Sequence, residues 1–340
     1  MNSLFWVVLT LFSPILIPLA LIWLLLSFFL ELFSAPNSNS YSIHVSANLA
    51  LKREERLLKA LGASPEEFWD TQIHYLEHKI PKKSGGFRTL NIPSNELKAL
   101  QKKVAGLIER YHGGKIHGCA NAFYRGRSIL TNARPHLGCE VLIKLDIADF
   151  FPSVNRESAK KYLRFKGMPL EGTAEEPNLL ENRLLEILFL YQGLPQGAPS
   201  SPLLSNLVMR DIDLNLSSYA KRYGGVYTRY ADDISISYRD ENKGTARKTI
   251  DTVDEILSRK GFRLNRKRQK LHVLRCHQAQ RICGVTINSG KMTISRRKRR
   301  ELRAVKHRRL VGREASMSRP QVAGWDCFLD MVAKAKHSKE

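Results

Sequence analysis

The first 50 residues contain no lysine or arginine and a single acid, Glu31. Residues 4–30 carry no charge at all, which excludes a solvated surface for that stretch. As a helix, these 27 residues would reach about 40 Å, against a bilayer core of about 30 Å. The missing positive start and the length of the apolar run argue against a cleaved signal peptide, and Pro36 after Ser34-Ala35 would hinder cleavage. The expectation is a transmembrane anchor over residues 1–34; Pro14 and Pro18 leave a kinked span or a re-entrant hairpin open. A polar linker is expected over 35–48. Cysteine is also sparse. The five cysteines (Cys119, Cys139, Cys276, Cys283 and Cys327) form no Cys-x-x-Cys pair. His272, Cys276, His277 and Cys283 fit no common zinc finger, so reduced thiols are expected.

The formal net charge is +23, and all of the positive excess lies from Lys52 onward. Such a basic segment calls for a polyanionic partner, nucleic acid or an anionic membrane surface. The excess is densest from Lys291 to Glu314, with eleven basic and two acidic residues. A helix with a thin apolar stripe is expected there, its like charges balanced by phosphates. Arg299, Arg300 and Arg303 are the candidate contacts. Upstream, residues 49–78 read as a helical lead-in and residues 95–112 as an amphipathic helix.

The strongest chemical signal is Tyr230-Ala231-Asp232-Asp233, set in alternating β-formers and read as a hairpin turn. Two adjacent carboxylates on a hairpin tip are costly without a cation, and paired Mg²⁺ ions are the usual partner. A further acid, Asp146, ends the apolar strand Val141–Asp146 and precedes Asp149-Phe150-Phe151-Pro152. Between the two acidic elements lies Leu194-Pro195-Gln196-Gly197, a Gly- and Pro-rich track able to approach a nucleotide closely. Gly85-Gly86 between two strand-like runs signals another hairpin, with Lys82, Lys83 and Arg88 around it. The Gly-punctuated loop carrying Arg125 and Arg127 suits template phosphates.

The order of Asp strand, Leu-Pro-Gln-Gly loop and Tyr-Ala-Asp-Asp hairpin resembles the palm of reverse transcriptases. Asn132-Ala133-Arg134-Pro135-His136 is similar to the Asn-Ala-x-x-His motif of the retron type, whose Val-Thr-Gly signature appears here only as Ile282-Cys283-Gly284. The resemblance covers about residues 78–340. It implies an α+β right-hand polymerase preceded by the transmembrane helix, with fingers and palm over 79–290 and a basic thumb over 291–340.

In that frame Asp146, Asp232 and Asp233 would hold two Mg²⁺. Lys82, Lys83 and Arg88 would grip the incoming triphosphate, and Asp149, Gln196 and Gly197 would line the nucleotide site. Phe151 would be the steric gate, while Asn132 and His136 would join the contacts to nucleic acid. The segment Asn265 to Lys270 matches a region where the family shows Asn and then, three residues on, Lys; here that position is Arg268.

The resemblance further implies dNTP substrates, a structured non-coding RNA as template and primer, a branched RNA–DNA product and a role in antiphage defence. An effector protein is left unidentified. Deoxynucleotides and RNA are cytosolic, so the catalytic part is expected on the cytoplasmic side of a bacterial inner membrane, with Lys52, Arg53 and Arg56 following the span. A membrane-anchored RNA-binding scaffold with a vestigial site, and a group II intron-like enzyme, are the alternatives.

Overall fold

The structure is a computed structural model that describes residues 51–82, 85–164, 179–240, 245–267 and 269–334. The chain divides into two compact units, Met1–Glu55 and Arg56–Glu340. The expected anchor and linker lie outside the described residues. Among the described residues no helix is long and apolar enough to cross a membrane.

The second unit begins with helical residues up to Leu61 and then α1 (Pro65–Asp70). Ser64 caps α1 by accepting from the Glu67 amide at 3.1 Å, and Pro65 starts it. The helical spacing of the lead-in runs to residue 78, but a strand, β1 (Tyr75–Pro81), replaces its last turn. Full antiparallel pairing with β2 (Phe87–Pro93) outweighs that local spacing. Gly85 and Gly86, at φ of 87° and 77°, make the expected turn. Helix α2 (Asn95–His112) has the expected bounds and buries Leu97, Leu100, Val104, Leu107 and Ile108 along one face. Truncating one of these leucines to alanine costs about 2–5 kcal/mol.

After the short α3 (Ile129–Ala133) comes β3 (Val141–Asp146), an inner strand of a four-stranded antiparallel sheet. Helices α4 (Arg156–Leu163), α5 (Leu179–Leu188), α6 (Ser201–Val208) and α7 (Arg210–Arg222) precede the hairpin of β4 (Gly225–Tyr230) and β5 (Asp233–Tyr238). Helix α8 (Thr245–Ser258) and β6 (His272–Arg275) follow, giving the strand order β4-β5-β3-β6. Strand alternation sorts the sheet into two faces. Ile143, Leu145, Ile234 and Ile236 join the large core with the helices, whereas Lys144, Asp146, Asp233, Ser235 and Ser237 share the other face.

That second face is not wholly open. A smaller core of Leu130, Ala133, Cys139, Leu142, Ile282, Val285, Met292 and Val332 covers its far end. It seats the two-residue strands β7 (Arg281–Ile282) and β8 (Val285–Thr286), whose turn is Cys283-Gly284 at φ of 46° and 86°. The chain then enters α9 (Arg296–Leu310) and α10 (Arg319–Lys334). The thin apolar stripe of α9 is Leu302 and Val305, both buried. Lys298 lies over the Trp325 ring at 4.7 Å, and Lys306 pairs with Asp326 at 2.7 Å. All five cysteines are free.

Candidate active site

Antiparallel register puts Asp146, the last residue of β3, directly opposite Asp233, the first residue of β5. Asp232 occupies the turn before it, and its carbonyl accepts from the Ile147 amide at 3.0 Å. The backbone therefore brings all three expected carboxylates to one end of the sheet. Burial, then the charges of Asp233 and Asp146, push the Asp232 carboxyl up to about 6. Burial also raises Asp233, against the lowering effect of Lys144.

Asp146 is only 5% exposed, so its oxygens need partners. Asn265 Nδ2 donates to Oδ1 at 3.0 Å, and Lys270 Nζ donates to Oδ2 at 2.5 Å. Burial opposes the Lys270 charge, but the Asp146 hydrogen bond and the surrounding carboxylates raise its pKa overall. The lysine in this segment that reaches the carboxylates is thus Lys270, two residues past Arg268, which lies outside the described residues. Sequence reasoning singles out the segment but assigns no role to Asn265 or Lys270; an Asn followed by a basic run is the available signal.

An all-carboxylate donor set facing a cationic side chain suits a hard divalent ion. Among the described residues no group of three or more His, Cys, Asp or Glu is arranged to hold a metal by itself. Mg²⁺ generally takes one or two carboxylates and completes its shell with water and substrate phosphates, so the donors fit.

The nucleotide-site candidates are joined through backbone contacts. The Leu194 amide donates to the Phe151 carbonyl at 3.0 Å, and the Asn91 amide of β2 donates to the Gln196 carbonyl at 2.8 Å. A Cβ on Gly197 would stand 2.6 Å from the Asn91 carbonyl oxygen, and one on Gly193 would stand 2.6 Å from Pro152 Cα. These glycines let protein backbones meet; the close approach expected between this track and a nucleotide is here an approach to β2 and to Pro152. Phe151 is half-buried, with Phe150 and Phe123 ring centroids at 5.3 and 6.1 Å. Asp149 is exposed and sits at a φ of 45°. Lys82 and Arg88 are exposed at the β1–β2 tip, and Lys83 lies outside the described residues.

Two expected nucleic-acid contacts are corrected. Asn132 and His136 are both fully buried. Asn132 Oδ1 accepts from Asn121 at 3.3 Å, and its Nδ2 meets the Cys283 sulfur at 3.5 Å. His136 sits 2.7 Å from the Ser237 hydroxyl through Nδ1 and 2.8 Å from the Thr228 hydroxyl through Nε2. Thr228 spends its own proton on the Asn132 carbonyl at 3.2 Å, so His136 donates from Nε2 and accepts at Nδ1. The motif pins β4, β5 and the β7–β8 turn together, and neither side chain is offered to RNA. Arg127 is half-spent as well: its Nη1 donates to the His117 and Ala120 carbonyls at 2.7 and 2.5 Å. Arg125 is exposed. Arg299, Arg300 and Arg303 are exposed too, and with Arg296, Lys306, Leu302 and Leu329 they line a cleft of about 580 Å³.

Burial pushes the His136 imidazole down to about 3, against an unfolded value near 6.5. Below pH 6.5 the unfolded chain takes up a proton that the folded chain refuses, so stability falls as pH drops from 6.5 towards 3. Between pH 6.5 and 5 this residue alone is expected to remove about 2 kcal/mol. Urea unfolding at the two pH values measures it, and His136→Gln should flatten the slope by about one proton.

Residues 80–302 match the family described as reverse transcriptase (RNA-dependent DNA polymerase). The retron Mx162 reverse transcriptase of Myxococcus xanthus is 37% identical over 321 residues, covering 84% of this chain and 65% of that protein. The retron Mx65 reverse transcriptase of the same organism is 35% identical, covering 83% and 68%. The retron Ec86 reverse transcriptase of Escherichia coli is 32% identical, covering 79% and 78%. This chain therefore spans about two thirds of the length of the two Myxococcus proteins. A family match across most of the chain, reinforced by retron enzymes aligned over roughly four fifths of it, makes this protein a member of the reverse transcriptase family of RNA-directed DNA polymerases, of the retron type.

Proposed function

We propose that the chain copies a structured non-coding RNA into DNA, with Asp146, Asp232 and Asp233 as ligands of two Mg²⁺ ions. The observation that carries this is the in-register pairing of Asp146 with Asp233 beside a carboxyl, Asp232, whose pKa is raised by burial and by these neighbours. When bound, the ions would activate a primer 3′-oxygen and stabilise the leaving pyrophosphate. Lys270 and Asn265 hold Asp146 in place and offset charge at the carboxylate end of the sheet. Lys82 and Arg88, with Lys83, are suited to triphosphate oxygens, Arg88 through a bidentate grip. Gln196 is the proposed nucleotide-positioning side chain, its own carbonyl tied to the Asn91 amide of β2, while Gly197 lets the track meet β2.

Phe151 is the proposed steric gate. Its ring is confined by Phe150 and Phe123 and its carbonyl by the Leu194 amide, so it cannot easily yield to a 2′-hydroxyl. Primer extension on an RNA template should therefore proceed with dNTPs and fail with rNTPs. Phe151→Ala should raise ribonucleotide use by about tenfold or more, the size of effect that a filled or emptied pocket produces. An unchanged ribo/deoxy ratio would remove Phe151 from the role.

The branched RNA–DNA product, a part in antiphage defence and an unidentified effector protein are proposals carried over from the resemblance to the retron type. Membrane attachment rests on the uncharged run 4–30, with no Lys or Arg before it and Lys52, Arg53 and Arg56 after it. We expect the full chain to sediment with inner membranes and resist high-salt extraction, while a chain starting near Ser46 stays soluble and still polymerises. Release of the full chain by salt alone would show peripheral, charge-driven binding instead.

A further inference from the structure

Ala231, between Tyr230 and Asp232, has a φ of 56°, a left-handed conformation that a Cβ disfavours. The turn that aims both Asp232 and Asp233 thus depends on a residue that would relax elsewhere if left alone. One side chain reaches it from the core. Arg229 is wholly buried, and its Nη1 donates to the Ala231 carbonyl at 3.0 Å. The same guanidinium is fixed from behind. Nε and Nη2 make a paired contact with the two oxygens of buried Asp213 at 2.8 and 2.7 Å, and Nη1 also reaches Asn206 Oδ1 at 3.2 Å. Its guanidinium carbon lies 5.9 Å from the centre of the Phe150 ring, the neighbour of Phe151. Its backbone is tied too, the amide to Cys119 and the carbonyl to Asn121.

We infer that Arg229 is a positioning residue for catalysis, holding Ala231 in its left-handed turn and so setting the direction of the Asp232 and Asp233 carboxylates towards the metal ions. This rests on the polymerase reading. Helix α7 supplies Asp213 and helix α6 supplies Asn206, so the aim of the carboxylates is referred to the core helices rather than to the hairpin itself. A lysine at this position would keep the charge beside Asp213 but has no planar fork to satisfy Asp213, Asn206 and Ala231 together.

The test compares wild type, Arg229→Lys and Asn206→Ala. Asn206→Ala leaves the Arg229–Asp213 pair whole and removes the acceptor that steers Nη1, together with the Asn206 Nδ2 donation to the Ala122 carbonyl at 2.8 Å. Thermal melting establishes folding. Mn²⁺ titration followed by electron paramagnetic resonance reads the metal site without turnover, and single-nucleotide extension gives kcat and KM for dNTP. For folded Arg229→Lys, kcat should fall about tenfold or more, as misaimed groups do. Its Mn²⁺ half-saturation should rise severalfold, with KM for dNTP and RNA affinity nearly unchanged. Asn206→Ala should move both readouts in the same direction, less far. Mn²⁺ half-saturation and kcat per folded molecule equal to wild type in Asn206→Ala and in any folded Arg229→Lys would overturn the inference. Wild type that binds Mn²⁺ yet adds no dNTP would instead overturn the polymerase reading and leave the Mn²⁺ comparison intact.

Discussion

Asp232→Ala, Asp233→Ala and Asp146→Ala are each expected to abolish deoxynucleotide incorporation, by at least about a thousandfold, while RNA affinity stays near wild type. The magnitude follows from what these groups share. Asp146 and Asp233 face one another across two strands, and the Asp232 carboxyl is lifted to about 6 by burial and by both neighbours. The charges of Asp233 and Asp146 both act on Asp232, so the three carboxylates form a single charge cluster and removing any one changes the whole. RNA affinity should survive because the basic surface of α9 is a different element of the chain. Folding should survive as well. In Asp146→Ala the freed Lys270 side chain is 44% exposed and can turn to water. Single-turnover extension beside an equilibrium RNA-binding curve makes the test. Substantial synthesis by Asp232→Ala would remove that residue from the metal-binding set.

Neutralising Arg299, Arg300 and Arg303 together is expected to weaken duplex binding and to flatten its dependence on salt. Each phosphate left without its arginine lowers the slope of log affinity against log salt by about 0.9, so the triple alanine variant should lower it by up to about 2.7. All three residues are exposed on α9, whereas its packing rests on Leu302 and Val305. The stack of Lys298 on Trp325 and the Lys306–Asp326 pair hold α10 in place without them. The melting temperature should therefore barely move. An unchanged salt slope would make these arginines an ordinary solvated helix face.

Local pattern makes much of this legible in the sequence. The apolar run Val141–Asp146 and the alternation around Tyr230-Ala231-Asp232-Asp233 mark strands, and their chemistry marks the acids. Glycine pairs mark the β1–β2 turn, and periodicity marks α2 to the residue. What is not legible depends on tertiary partners. Nothing near Arg229 in sequence reveals that Asp213, sixteen residues earlier, will meet it in the core. Likewise Lys270 reaches Asp146 across 124 residues, a pairing that only the packing of the sheet creates. His136 reads as an RNA contact because a buried histidine and an exposed one look alike in a motif; its partners lie about a hundred residues on, in β4 and β5. Gly197 misleads in a subtler way. Its lack of a side chain does mark a close approach, but the approaching group is the Asn91 backbone.

The central claim is that this chain makes DNA from RNA, and the most direct measurement is the sequencing of nucleic acid that copurifies with it. Wild type and Asp233→Ala would be purified in parallel from cells that carry the native flanking sequence, with separate libraries for RNA and DNA. The account predicts one structured RNA in both samples, and DNA complementary to part of that RNA only with wild type. The absence of such DNA from the wild-type sample, or equal amounts of it with Asp233→Ala, would contradict it.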